Sequence, residues 1–373
     1  MERRKEPAIS GRGAQSGAVP TRFGLATREA DGDWRDYMEL LAQESGGPPV
    51  KLRTTVIEEH PKTIVTFNQS PDIGFDRSIN AYRGCEHGCV YCFARPTHAF
   101  HDLSPGLDFE TKLFAKPDAA ELLRETLAKR KYRPRPIAMG TNTDPYQPIE
   151  RRYRITRSIL EVCLEARHPV TITTKSDRVC DDLDLLAELA SMNLTAVAVS
   201  VTTLDPKLSG KLEPRAAAPA KRMAALGRLA QAGVPCFCSV APVIPAITDE
   251  FMEDIVARAG ELRVTAAFWM ALRLPHEVAP LFREWLSVHF PERGDKVMNI
   301  VRSMRANEHG GRDNDPDFHS RFNPKGVWAD LFRKRFEIAC NRAGLGPKDR
   351  RIKFELDCTR FRPPEVGGQM RLL

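Results

Sequence analysis

The sequence has no apolar run near the ~18–20 residues that would span a bilayer. Its longest such run, around residues 264–272, is only strand-sized. The opening stretch, MERRKEPAISGRGAQSG, lacks the apolar core of a secretory signal. These absences lead us to expect a soluble, cytoplasmic protein with no membrane partner. A disulfide framework is missing too. The nine cysteines are odd in number and irregularly spaced, so reduced thiols or metal ligands are expected. There is no G-x-G-x-x-G, no P-loop and no exact internal repeat, which argues against dinucleotide and ordinary nucleotide-phosphate binding. Composition does not deviate either. At 42% hydrophobic and 28% charged over 373 residues, the chain is not disordered, collagenous or a small disulfide scaffold. A chain this long can bury a sizeable core without staples.

The first 320 residues also lack net charge, with 43 basic and 43 acidic residues. Residues 321–373 hold 13 Lys/Arg and 6 Asp/Glu, and so carry the whole excess of +7. An electrostatic argument for a polyanionic partner therefore belongs to the C-terminal segment. There Arg333, Lys334 and Arg335 fall on an amphipathic helix expected over 327–343. Arg350, Arg351, Lys353, Arg360 and Arg362 follow, the last two around Phe361. Basic residues interleaved with aromatics suit a nucleic-acid backbone, and a solvated basic face is the alternative.

What is present is a rhythm. Residues 1–50 read as loose, with Gly11, Gly13, Gly17, Gly46 and Gly47. From about residue 63, β-rich runs alternate with amphipathic helix patterns. Strands are expected at 78–82, 136–141, 170–174, 196–202, 235–242 and 265–272. Helices are expected at 149–167, 181–192, 218–232 and 249–259, the last two stopped by Gly233 and Gly260. The spacing fits βα units and an all-parallel, right-handed arrangement. Six units suggest a partial (β/α)6 TIM-like barrel, with its site at the C-terminal strand ends. Beyond residue 274 the rhythm stops. A helix is expected over 276–290 and a loop over 310–316. The domains read as an N-terminal extension (1–60), a barrel (61–275) and a basic helical extension (276–373).

The sharpest motif is Cys85-x3-Cys89-x2-Cys92, directly after the first barrel strand. Thiolates hold iron–sulfur clusters, normally with four ligands per cluster. Three close cysteines with no obvious fourth would leave one iron open to an outside ligand, which is a catalytic arrangement. The rival is a Cys3His zinc site completed by His87, His98 or His101, in a nucleic-acid-binding protein without catalysis. Its weakness is that the sequence has no second C-x2-C pair. Cys163, Cys180, Cys236, Cys238, Cys340 and Cys358 are scattered and read mainly as core residues.

C-x3-C-x2-C with Tyr91 just before the last cysteine resembles the signature of the radical S-adenosylmethionine (SAM) superfamily. Further stretches resemble the subgroup related to spore photoproduct lyase, described as DNA-repair-photolyase-like. They include Tyr91-Cys92-Phe93-Ala94-Arg95-Pro96-Thr97-His98, Gly140-Thr141-Asn142-Thr143-Asp144-Pro145-Tyr146-Gln147, Thr174-Lys175-Ser176, Glu213-Pro214-Arg215 and Ala241-Pro242-Val243-Ile244-Pro245. The resemblance spans roughly residues 60–365.

The resemblance implies a [4Fe–4S] cluster on Cys85, Cys89 and Cys92, with SAM on the open iron. An electron from a donor such as flavodoxin or ferredoxin would cleave SAM to methionine and a 5′-deoxyadenosyl radical. That radical would abstract hydrogen from an unidentified substrate, nucleic acid being one candidate and a protein or small metabolite the other. SAM contacts are implied for Tyr91, Thr143, Asp144, Lys175 and Ser200. Thr143 and Asp144 equally suit a turn. Glu150 suits a helix start, and His98 and His101 could face substrate or simply cap. One departure stands out. Spore photoproduct lyases carry a hydrogen-donor cysteine where this chain has Thr141 or Asn142. The expectation is therefore a different reaction.

Overall fold

The computed structural model describes residues 11–14, 52–305, 311–346 and 355–365. Its strands are β1 (Thr55–Glu58), β2 (Val65–Phe67), β3 (Arg77–Ile79), β4 (Tyr82–Arg83), β5 (Lys112–Ala115), β6 (Ile137–Met139), β7 (Val170–Thr174), β8 (Thr195–Ser200), β9 (Cys236–Val243) and β10 (Ala266–Ala271). The six expected strands are β3, β6, β7, β8, β9 and β10. They pair in parallel in that order, and β2 adds to β3 antiparallel. The architecture is thus mixed α/β, a partial TIM-like barrel. Two details correct the sequence reading. The main sheet is not all-parallel, because β2 closes one edge. The run 78–82 is two strands, since the chain leaves the barrel after Ile79 and Tyr82–Arg83 joins a small separate sheet, β1–β5–β4.

Strand alternation sorts the residues into two faces. Ile79, Ile137, Met139, Val170, Ile172, Val197, Val199, Cys236, Cys238 and Val240 lie in the outer core, against the helices. The opposite face lines the bore, and its register can be read across the sheet. Ser78 pairs with Ala138, Ala138 with Thr171 and Thr171 with Ala196. Farther along, Thr173 pairs with Ala198, and Ala198 with Phe237. Ser200 pairs with Ser239, and Ser239 with Phe268. A closed TIM barrel fills such layers with bulky branched side chains. Here the layers are Ser, Ala and Thr until the last two strands, so the bore has room for a ligand.

Helices cover the outer face at Ala119–Ala128, Ile155–Glu165, Leu183–Ser191, Pro219–Gln231 and Met252–Glu261. The expected helix over 149–167 breaks at Arg154, whose φ of 50° separates Glu150–Tyr153 from Ile155–Glu165. The helix expected to stop at Gly260 runs through it to Glu261. After the barrel come the helices Val278–His289, Gly294–Ser303 and Val327–Arg342. Val278, Phe282, Trp285, Val297 and Val301 form a second core with Cys89, Val90, Tyr91 and Leu272. The C-terminal segment therefore supports the cysteine loop.

The loose reading of residues 1–50 needs correction at 11–14, where Arg12 and Ala14 are buried. The rest of that stretch lies outside the described residues, as do Arg350, Arg351 and Lys353. Two of the basic side chains on the 327–343 helix are paired. Arg335 pairs with Glu253 at 2.6 Å and Asp249 at 3.3 Å, and Arg333 pairs with Asp330 at 2.5 Å. Arg360 pairs with Asp357 at 3.1 Å.

Candidate radical SAM site

The cysteine loop leaves the small sheet at Arg83 and wraps over the C-terminal mouth of the barrel. Cys85 and Cys89 are buried and Cys92 is half-buried. Burial pushes all three thiols upward. Cys92 lies within electrostatic reach of both Cys85 and Cys89. Ionised sulfur at this depth calls for a positive partner. Lys175 supplies part of that field. It follows β7, is felt by Cys89 and Cys92, and places Nζ 5.8 Å from the Tyr91 ring centroid. It forms no ion pair among the described residues.

The loop is held on every side. Cys85 N donates to Phe109 O at 2.9 Å, and Val90 N donates to Leu212 O at 3.1 Å. Gln147 donates to Gly84 O and accepts from Glu86 N at 2.9 Å. Glu86 receives Thr54 Oγ1 at 2.6 Å and Arg215 at 2.8 Å. Arg95 is fully buried. Its Nε donates to Cys89 O at 2.9 Å, Nη1 to Pro105 O and Gly106 O, and Nη2 to Glu110 at 2.5 Å.

Glu110 also ties in the N-terminal strap. Its two oxygens accept from Gly13 N at 3.0 Å and Ala14 N at 2.8 Å. Arg12 donates to Glu110 O, Leu52 O and Thr54 Oγ1. The strap lies so close to the loop that a Cβ on Gly13 would sit 1.6 Å from Gly88 O. Gly88 itself has φ +67° and no room for a side chain beside Glu110. Only glycine fits both positions.

Each residue implied by the sequence has a definite place. The Tyr91 hydroxyl donates to the Glu213 carboxylate, which also pairs with buried Arg222. Burial alone would push Glu213 up, but Arg222 and then Lys175 hold it down to about 2. The Thr143 hydroxyl donates to Gly84 O at 2.6 Å, bracing the loop. Asp144 makes the expected turn by accepting from Tyr146 N at 2.9 Å. It also accepts from Thr174 Oγ1 at 2.6 Å and Lys175 N at 2.7 Å, and lies 3.3 Å from His87 Nδ1. Burial opposes its ionisation, yet these partners hold it down to about 2. Ser200 is buried, on the bore face of β8.

Glu150 stands apart. It accepts from Tyr82 OH and from Thr156 N at 3.0 Å, and burial pushes it up to about 7. It serves the start of the Ile155–Glu165 helix. His98 is fully buried against Phe109 and Phe114, and burial pushes it down to about 4. His101 packs on Phe114. Thr141 Oγ1 and Asn142 N meet Asn80 on the rim.

Three thiols on one braced loop, with Lys175 in electrostatic reach of two of them, are the donor set an iron–sulfur cluster takes. As they stand, no group of three or more His, Cys, Asp or Glu side chains among the described residues is gathered closely enough to hold a metal ion, the three thiols included. Sequence reasoning assigned no role to Glu110, Arg222, Gln147 or the 11–14 strap. Gln147, Glu213 and Arg95 lay within the quoted motifs. Arg12 and Gly13 gave only the signal of a glycine pair.

The fold and this loop define a radical SAM enzyme, and the chain belongs to that superfamily. The family model described as "Radical SAM superfamily" matches residues 79–259. An uncharacterized protein of Mycobacterium tuberculosis is 32% identical over 308 residues, covering 80% of this chain and 84% of that protein. An uncharacterized protein of Methanocaldococcus jannaschii is 28% identical over 227 residues, covering 61% and 81%. Among solved structures, spore photoproduct lyase complexed with dinucleoside spore photoproduct superposes with a TM-score of 0.54 at 13% identity. It covers 82% of this chain and 91% of that one, a likeness of fold. No helix among the described residues is long and apolar enough to cross a membrane.

Proposed function

We propose that this enzyme uses one [4Fe–4S] cluster, held by Cys85, Cys89 and Cys92, to cleave SAM and abstract hydrogen from a substrate entering the open bore. The observation that carries this reading is the braced three-cysteine loop facing unpaired Lys175 at the mouth of a barrel lined by small residues. When bound and reduced by an external donor such as flavodoxin or ferredoxin, the cluster supplies the electron that splits SAM into methionine and a 5′-deoxyadenosyl radical. Lys175 suits the SAM carboxylate. Tyr91 and Ser200 would border the cofactor when it is bound, while Thr143 and Asp144 act through the shape they give the loop.

Nucleic acid is the substrate class we favour, over a protein or small metabolite. The likeness in fold to a lyase complexed with a dinucleoside photoproduct supports it. The reaction differs from spore photoproduct lyase chemistry, because neither Thr141 nor Asn142 offers a thiol hydrogen. We further take residues 61–275 as the catalytic barrel, between an N-terminal extension (1–60) and a C-terminal one (276–373), acting in the cytoplasm.

Anaerobically reconstituted protein should be brown, with about four irons per chain. With dithionite and SAM it should release 5′-deoxyadenosine, and Cys89→Ala should abolish that release. A colourless protein with a single zinc overturns the reading.

A further inference from the structure

The partial barrel leaves a lateral gap between its edge strands, β10 and β2. A short chain of contacts bridges that gap. Two residues past β10, Arg273 lies with Cζ 4.5 Å from the Phe322 ring centroid. Arg321 sits 5.1 Å from the same ring and 4.5 Å from that of Phe318. Arg321 reaches across to Asp72, between β2 and β3, with bonds of 2.5 and 2.8 Å. Arg305 lies beneath, donating to Leu272 O at 2.7 Å and Arg321 O at 3.1 Å.

These three arginines differ in what remains for them to do. Arg321 is spent on Asp72, and both terminal nitrogens of Arg305 are spent on carbonyls. Arg273 has no carboxylate and no hydrogen-bond acceptor among the described residues, and its buried Nε has no partner. Of the nearby acids, Asp72 is paired with Arg321, while the Asp315 carboxylate, held by Ser320 Oγ at 2.6 Å and Asp317 N at 3.0 Å, acts on Arg273 only from beyond ion-pair distance. Burial, then Arg321 and Arg305, push Arg273 down to about 10, which leaves it charged at neutral pH. A half-buried guanidinium fork without an anion is set up for two-point capture of an oxyanion.

Apolar surface lies on the strand that leads to it. On β10, Trp269 packs outward on Phe332, so its neighbours Phe268 and Met270 face the bore side, each 38% exposed. Phe318 is also exposed. Charge and flat apolar surface together match a nucleotide, with its phosphate on the fork and its base on the rings.

We propose that Arg273 binds a phosphate group of the substrate at the lateral opening of the barrel, with Phe268 and Met270 receiving the attached base. This rests on reading the barrel as the catalyst and names where its substrate docks. Because Arg333 and Arg335 are already paired, the assignment moves the polyanion argument from that helix to the barrel edge.

The test is binding of a short fluorescent single-stranded deoxyoligonucleotide to the full chain. Arg273→Gln should weaken binding about tenfold and lower the slope of log affinity against log salt by about one. Arg273→Lys should recover part of the loss. Lys334→Gln, on the exposed helix, should change neither. Competition distinguishes the sources. A mononucleotide that competes as well as the oligonucleotide indicates a free nucleotide, and a weak one indicates a phosphodiester chain. Adenosine, lacking phosphate, should not compete. Iron content and melting temperature of Arg273→Gln should match the parent. The proposal is overturned if the parent binds neither probe, if Arg273→Gln binds as the parent does, or if succinate competes where the mononucleotide does not. Iron content and 5′-deoxyadenosine release of the parent are scored separately. Their failure sinks the radical SAM reading without touching the binding result.

Discussion

Around the cysteine loop, Arg95 and Arg222 are buried, and each is matched by a carboxylate, Glu110 and Glu213. Two residues past β10, Arg273 stands half-buried with no ion pair or hydrogen bond among the described residues, following Phe268 and Met270 of that strand, which are partly open to solvent. The same residue type is thus used in two ways. At the loop, both buried arginines are committed to carboxylates, so the backbone that bears the thiols is braced before any cofactor arrives. At the lateral opening, binding capacity is left unspent. Preorganisation suits a cofactor common to every turnover, because ordering costs are met during folding. Unspent capacity suits a substrate that must enter and leave.

The largest expected effect tests the committed side. Glu110→Ala would strand Arg95 in the core and free the strap. Losing one partner of a buried pair costs about 3–5 kcal/mol. Thermal melting of the apoprotein should show a large loss of stability, and Arg95→Met/Glu110→Leu should recover part of it. If Glu110→Ala melts like the parent, the loop is not held as the comparison requires.

A smaller effect is expected from the strap itself. Gly13→Val places side-chain carbon where Gly88 O already lies, so residues 11–14 must lift away. Forcing atoms into packed space costs roughly 1–3 kcal/mol. The informative readouts are faster amide exchange at Gly88 and quicker iron loss to a chelator, both measured against the parent. Unchanged exchange would show that the loop keeps its shape without the strap.

Much of the architecture was legible because its signals are local. Strands β3 and β6 to β10 fall within residues of the expected runs, as Thr171-Ile172-Thr173-Thr174 illustrates. The three cysteines announce themselves by spacing. What stayed hidden depends on pairings distant in sequence. Glu110 meets Gly13 across 97 positions, and Arg215 meets Glu86 across 129. Thr143 and Asp144 were singled out with a turn as one reading, but the Thr143 bond to Gly84 O was not visible. A hydroxyl or carboxylate near a cofactor looks the same in sequence whether it faces the ligand or braces the loop. Charge shows the same limit. Arg335 counts toward the basic excess, yet Asp249 and Glu253 from outside the C-terminal segment answer it.

The smallest effect on stability should come from the open side, and its smallness is the point. Phe268 and Met270 are partly exposed on an edge strand, so Phe268→Ser removes less buried area than a core truncation would. Its cost should stay near ~1 kcal/mol, below either loop variant. Oligonucleotide binding should nevertheless weaken, because a stacked base is worth roughly 1–3 kcal/mol. The committed side shows the reverse pattern, with large stability losses that follow from folding alone. If Phe268→Ser instead melts early while binding is unchanged, the ring is a packing residue. The opening would then be built on the same rule as the loop.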